Sequence, residues 1–139
     1  APKGAIEFFH GYTYSAHPVG AAAALACMKE SQRLQIQESA KVRGQQLHKG
    51  LMQLKEKHNI IGDIRGGHGL MAGIELVSDL DKKTPMSSEN MTKVSSKIFE
   101  AGAMVRIGGH NILLSPPCII TEEEINKVLT ALDEGFSIL

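Results

Sequence analysis

The chain has 139 residues, of which 42% are hydrophobic and 22% charged, and its 15 basic and 15 acidic side chains give a formal net charge of zero. This length suits one globular domain with a proper core. The neutral balance argues against nucleic acid or an anionic membrane as the main partner, since both require a basic surface, and no uninterrupted apolar run is long enough to cross a bilayer.

The first half of the chain predicts two helices. A helix over 18–32 begins at Pro18, a residue that suits the first helical position because its missing N–H costs nothing there. An alanine-rich run with high helix propensity follows it. A second helix is predicted over 39–57, where Leu47, Leu51 and Leu54 share one face and polar residues cover the other.

The hydrophobic period then changes to that of strands. A strand ending near Arg65 and an alternating run over 70–77 are separated by a glycine-rich turn over 66–69, which predicts an antiparallel hairpin. The stretch "SDLDKKTPMSS" is predicted to be a polar loop. Met91, Val94 and Ile98 mark a third helix that is capped by Ser87 or Ser88 and ends at Gly102.

The last segment predicts two short strands around Gly108 and Gly109, followed by a helix. Thr121 and Glu124 have the spacing of a capping box. The helix carries an apolar stripe at 125, 128, 129, 132 and 136. Residues 38–139 are therefore predicted to form an α+β domain, with a small antiparallel sheet packed by helices.

The sequence disfavours a dinucleotide-binding motif, a metal site and a disulfide. Gly67, Gly69 and Ala72 match a G-x-G-x-x-A dinucleotide motif, but the predicted strand after the glycines occupies the place of the helix that such a motif requires. The six histidines show no metal-ligand spacing, so no metal site is predicted. Cys27 and Cys118 lie far apart among apolar neighbours, which predicts reduced thiols in the core of a cytoplasmic protein.

Two candidate sites remain. Arg106 stands in or beside a strand with two glycines nearby, where its planar guanidinium could bind a carboxylate, although a surface ion pair is the alternative. The loop "HGYTYSAHP" places the Thr13 hydroxyl and backbone N–H groups ahead of a helix, which suits a phosphate. Tyr12 and Tyr14 could flank a flat ligand or an interface, or could simply fill a loop that caps its own helix.

Three stretches resemble class III pyridoxal-phosphate (PLP) aminotransferases, especially the omega-amino acid:pyruvate (beta-alanine:pyruvate) group. They are "FFHGYTYSAHPVGAAAALA", "DIRGGHGLMAGIELV" and "GAMVRIGGHNILLSPPCIITEEEINKVLTAL", and together they span nearly the whole chain. The resemblance implies a fold-type I PLP enzyme, with residues 38–139 as its C-terminal small domain. Residues 1–37 would be an interface loop and linking helix left from the large domain.

The resemblance also implies roles for individual residues. Thr13 matches a threonine that reaches the cofactor phosphate of the neighbouring subunit, and Tyr12 lies where a backbone N–H approaches the same phosphate. Arg106 matches the arginine that binds the substrate carboxylate. The implied assembly is a homodimer or higher homo-oligomer, the implied cofactor is pyridoxal 5'-phosphate, and the implied substrates are an amino donor and pyruvate.

No lysine of this chain matches the Schiff-base lysine of the family, which lies upstream of the glycine–tyrosine–threonine motif. The chain is therefore expected to be the C-terminal part of an aminotransferase and to be inactive alone, because without that amine the cofactor chemistry cannot proceed. The alternative is a free-standing α+β module that binds a small molecule or serves dimerisation.

Overall fold

The computed structural model describes residues 3–4 and 10–139. Backbone contacts separate two compact units, residues 1–34 and 35–139. The division into 1–37 and 38–139 that the resemblance implies stays a prediction. Phe8 and Phe9, with which the resembling loop begins, lie outside the described residues.

The described part of the first unit contains one helix, α1 (Pro18–Arg33). As predicted, Pro18 occupies the start of the helix, and the preceding His17 is the N-cap, whose Nδ1 accepts a hydrogen bond from the Gly20 N–H at 3.5 Å. The structure describes every residue of α1, and none of them is buried. Its apolar side chains, among them Val19, Leu25 and Met28, are exposed.

The second unit contains three helices and five strands. They are α2 (Ile36–Lys57), β1 (Ile61–Arg65), β2 (Ala72–Asp79), β3 (Thr84–Pro85), α3 (Ser88–Glu100), β4 (Arg106–Gly108), β5 (Asn111–Leu114) and α4 (Glu122–Phe136). All strand pairs are antiparallel in the order β1-β2-β5-β4, and the two-residue β3 pairs with β2. The predicted α+β class with a small antiparallel sheet is confirmed.

The core of this unit lies between one face of the sheet and the three helices. Ile74 and Ile112, which pair across β2 and β5, are fully buried. They belong to one hydrophobic cluster with residues such as Leu51 of α2, Ile98 of α3 and Leu132 of α4. Because side chains alternate along a strand, this buried register fixes which residues lie on the opposite face.

The predicted caps and turns are confirmed. Thr121 and Glu124 form a reciprocal capping box at the start of α4, and Ser87 caps α3. The hairpin between β1 and β2 turns through glycines with positive φ, including Gly69 at 101°. A Cβ on Gly44 of α2 would lie 2.1 Å from the Gly69 carbonyl oxygen, so this turn packs directly on the backbone of the helix.

Three expectations were wrong. The second helix begins at Ile36 instead of Ser39, directly after Gln35, which adopts the left-handed conformation and separates it from α1. The predicted polar loop contains β3 and the buried Met86. Cys27 and Cys118 are free thiols as expected, but both are exposed and not in the core, because apolar neighbours in sequence do not decide which side of a helix or loop a residue occupies.

The C-terminal ends of α2 and α4 are joined by a charged cluster. The Asp133 carboxylate accepts hydrogen bonds from Lys57 Nζ at 2.8 and 2.6 Å, and His58 Nε2 lies 2.6 Å from Asp133 Oδ1. The Lys57 ammonium, and after it the His58 ring, hold the pKa of Asp133 below its ordinary value. The His58 ring also packs edge-on against Phe136, whose side chain is buried.

We expect Asp133→Asn to lower the free energy of unfolding by about 1 kcal/mol at pH 7, because a half-exposed charge-assisted contact contributes on that order. Since the folded pKa of Asp133 is lowered, its contribution is present above the unfolded value of about 3.9 and is lost as the pH falls through the folded value. Urea unfolding of both proteins between pH 3 and 7 measures the difference, which should shrink below about pH 4.

Glu134→Gln is the matched control, because Glu134 is exposed and its nearest cation, Lys97, is 3.8 Å away. It should change stability little at any pH. An equal loss in both variants, or an Asp133→Asn loss that is undiminished at pH 3, would contradict this account of the cluster.

Candidate functional site

The first candidate site is the turn that precedes α1. Three hydrogen bonds close it: the Tyr12 N–H donates to Ser15 Oγ at 3.2 Å, the Ser15 N–H donates to the Tyr12 carbonyl at 3.0 Å, and the His17 N–H donates to the Tyr14 carbonyl at 3.2 Å. Ala16 has a positive φ of 60°, after which His17 begins the helix cap. The turn leaves the Tyr12 and Tyr14 rings exposed, at 74% and 83% of their surface.

Thr13 lies at the tip of this turn and is exposed. Within the described residues its hydroxyl forms no hydrogen bond, so it is available as a donor to a phosphate oxygen. The Tyr12 N–H, in contrast, is engaged by Ser15 in this conformation. The roles that the resemblance implies for the Thr13 hydroxyl and the Tyr12 N–H at the phosphate of PLP stay predictions.

The second candidate site is the face of the sheet opposite the core, here called the open face. In register across the strands, Arg106 pairs with Leu113, and Leu113 pairs with Gly73. One row further along, Asn111 pairs with both Gly108 and Glu75. Because these residues alternate with the buried Ile74 and Ile112, they share the face that the helices leave uncovered.

Most charges on the open face are paired. The Arg65 guanidinium lies 2.8 Å from Asp63 and holds the pKa of that carboxyl below its ordinary value. His110 Nε2 lies 3.1 Å from Glu75 Oε1, and the His110 carbonyl accepts the Leu76 N–H at 2.9 Å. The turn between β4 and β5 is therefore fixed to β2 by both backbone and side chain.

Arg106 differs from the other arginines of the chain. Arg33, Arg43 and Arg65 contact Glu30, Glu122 and Asp63, respectively. Arg106 is exposed, and among the carboxylates that the structure describes it contacts none. The alternative of a surface ion pair therefore finds no support in this part of the chain, and the guanidinium is available to an incoming carboxylate.

A cavity of about 580 Å³ opens beside Arg106 at the edge of the sheet, and it is here called the edge cavity. Its buried or half-buried lining is apolar and includes Val105, Leu114, Ile120, Ile125 and Val128. Its exposed lining includes three charged side chains, Arg106, Glu124 and Lys127.

Sequence reasoning missed the polar groups around both sites. Nothing in the spacing shows that Glu75 meets His110, because this contact joins residues 35 positions apart. A signal for Ser15 existed, since a serine three residues after a backbone donor is typical of a local side-chain turn.

The disfavoured chemistries remain unsupported by the structure. The Gly67–Gly69 segment is followed by β2 and not by a helix, as expected for a hairpin turn. Over residues 3–4 and 10–139, no three His, Cys, Asp or Glu side chains come together as candidate ligands of a metal ion. In the same ranges no helix combines the length and apolar character needed to cross a membrane.

Comparison with known proteins identifies a family. Residues 2–136 match the model of the class III aminotransferases. The chain is 37% identical over 128 residues to alanine–glyoxylate aminotransferase 2 homolog 2 of Arabidopsis thaliana, covering 90% of this chain and 26% of that protein. It is 33% identical over 132 residues to a taurine–pyruvate aminotransferase of Bilophila wadsworthia, covering 90% and 29%.

Solved structures agree. The PLP-bound amine transaminase from an uncultivated Pseudomonas species superposes with a TM-score of 0.84 at 34% identity, covering 94% of this chain and 30% of that one. The chain thus spans less than a third of the length of each of these relatives. The matched residues include the turn before α1, the open face and the edge cavity, and the chain belongs to the PLP-dependent class III aminotransferase family.

Proposed function

We propose that the complete gene product containing this chain transfers an amino group from an omega-amino acid or amine to pyruvate, with PLP as its cofactor. The observation that carries the proposal is Arg106, an exposed arginine without a carboxylate partner among the described residues, on the open face of a class III aminotransferase domain. The similarity to a taurine–pyruvate aminotransferase and an amine transaminase supports this substrate class.

Arg106 would bind and orient the substrate carboxylate. Its two-pronged guanidinium can donate two parallel hydrogen bonds to a carboxylate, and the paired charges around it leave this group free for the ligand. When the carboxylate of the substrate is held, the position of its amino group is also fixed. The reacting groups then meet within a bound complex instead of by random collision. Gly73 and Gly108 add no side chains to the open face, and the Leu113 side chain lies against both of them.

Thr13 would donate its hydroxyl to the phosphate of PLP, in a homodimer whose neighbouring subunit holds the cofactor. PLP, when bound, supplies the electron sink that amino-group transfer requires. The family resemblance supports the dimer, and the free, exposed Thr13 hydroxyl supports the contact. We also propose a cytoplasmic location, because Cys27 and Cys118 are free thiols.

We expect Arg106→Ala in the complete gene product to raise KM for beta-alanine about 10- to 100-fold, because a charge-assisted bidentate contact is lost. The donor half-reaction, followed by cofactor absorbance, measures this without pyruvate. The KM for an amine donor that lacks a carboxylate should not change. The KM of Arg106→Lys for beta-alanine should lie between those of the unaltered protein and Arg106→Ala.

Arg43→Ala is the matched control, since it removes an arginine that is already paired with Glu122. It should leave both donors unchanged. An unchanged KM for beta-alanine in Arg106→Ala would remove the carboxylate-binding role and favour a dimerisation module.

We expect Thr13→Ala to weaken PLP binding about 10-fold, because one hydrogen bond to a charged phosphate is lost. Fluorescence titration of the cofactor-free gene product measures the affinity. Thr13→Ser keeps the hydroxyl and should restore it. If Thr13→Ala binds PLP as tightly as the unaltered protein, Thr13 does not contact the phosphate.

We also propose that the chain of 139 residues does not transaminate alone, because none of its lysines matches the family's Schiff-base lysine. With PLP, beta-alanine and pyruvate, it should form alanine no faster than PLP does without protein. Turnover at an enzymatic rate by this chain would refute the proposal.

A further inference from the structure

The turn between β4 and β5 consists of two residues, Gly109 and His110. Gly109 has a positive φ of 64° and directly follows Gly108. Because glycine leaves the backbone conformationally free, two glycines in a row do little to stiffen the hairpin. In the sheet that the structure describes, β4 is an edge strand of three residues bordered by β5 alone. The strand that carries Arg106 therefore depends on contacts that reach beyond the hairpin.

His110 makes two such contacts, both with β2. Its carbonyl accepts a hydrogen bond from the Leu76 N–H at 2.9 Å, and its Nε2 lies 3.1 Å from Glu75 Oε1. A carboxylate can only accept, so the ring Nε2 carries the hydrogen that is shared with Glu75. The two side chains are exposed at 30% and 32% of their surface, so water reaches this contact only in part. The His110 ring thus joins the tip of the hairpin to an inner strand of the sheet.

Two other charged groups lie near Glu75 on the open face, and neither takes the place of His110. The Arg65 guanidinium bonds to Asp63 at 2.8 Å, and this bond is the main reason that the pKa of Arg65 is raised, with the charge of Glu75 contributing less. On the core side, β4 is held by the apolar side chain of Ile107, which packs against the hydrophobic cluster. On the open face, the contact between His110 and Glu75 is the side-chain hydrogen bond that ties the hairpin to β2.

We propose that His110 is a positioning residue for Arg106. By anchoring the hairpin to Glu75, its ring holds the edge strand in the place from which the guanidinium meets the substrate carboxylate. His110 acts through Arg106 and not on the substrate, so its loss weakens the binding of carboxylate donors and leaves the chemical step unchanged. The anchoring stands on the contacts of His110, whereas its effect on the substrate rests on the proposed function of Arg106.

The anchoring is tested in the 139-residue chain by hydrogen exchange of the hydrogen-bonded backbone amides of residues 106–108, measured by NMR. His110→Phe keeps a ring and removes the N–H, so these amides should exchange about 5-fold faster. His110→Gln places an amide N–H near the position of Nε2 and should restore slow exchange. Unchanged exchange in His110→Phe, or fast exchange in His110→Gln as well, would overturn the inference.

The effect on the substrate is tested in the complete gene product. His110→Phe should raise KM for beta-alanine about 3- to 10-fold at an unchanged kcat, and His110→Gln should restore the KM. The KM for an amine donor that lacks a carboxylate should not change. In an Arg106→Ala background, His110→Phe should cause no further increase, because it acts through the guanidinium. An equal rise for both donors, or additive effects in the double variant, would overturn the positioning role.

The matched control is His58→Phe, which removes another contact between a histidine and a carboxylate, the 2.6 Å contact with Asp133 far from the hairpin in sequence. It should leave the exchange of residues 106–108 and both KM values unchanged. A rise in KM equal to that of His110→Phe would attribute the effect to a general loss of stability and overturn the inference.

The two measurements separate the inference from the proposed function. If hydrogen exchange responds as expected but neither Arg106→Ala nor His110→Phe changes the KM for beta-alanine, the proposed function fails and the anchoring stands. If Arg106→Ala raises this KM while His110→Phe changes only the exchange, the proposed function stands and the positioning role of His110 is wrong.

Discussion

The pairing of Ile74 with Ile112 is the contact on which the second unit depends. Both side chains are fully buried under the helices, and they set the register of β2 against β5, to which β4 is then added. A shift of one residue would exchange the two faces of the sheet, burying Glu75 and exposing the isoleucines. The hydrophobic core therefore determines that Arg106 stands on the open face.

Some charged side chains of the molecule are paired within the fold, whereas Arg106 is not paired with any described carboxylate. Asp133, Glu124 and Asp63 are each held by neighbours, and each contact fixes a helix end or a strand in place. Arg106 has no such partner within the described residues. Its guanidinium is exposed and is available to a ligand carboxylate.

Much of the fold follows from local sequence signals. The capping box at Thr121, the glycine turn before β2 and the apolar stripe of α4 depend only on neighbours within one or two turns, and all three are confirmed. The exposure of Cys27 and Cys118 was not predictable in this way, because it depends on how whole elements pack. That Arg106 contacts no carboxylate among the described residues depends on where those carboxylates lie in space, which the sequence does not show. Its proposed role came from the family resemblance, since spacing alone had left an ion pair as the alternative.

We propose that this domain presents Arg106 to the substrate carboxylate, and that role can be observed directly. The most direct measurement is a crystal structure of the complete gene product with PLP and an unreactive carboxylate analogue of the substrate. We predict that the carboxylate lies within about 3 Å of both outer nitrogens of the Arg106 guanidinium, in the bidentate arrangement. A carboxylate held by other residues, with Arg106 directed into bulk solvent, would contradict the account.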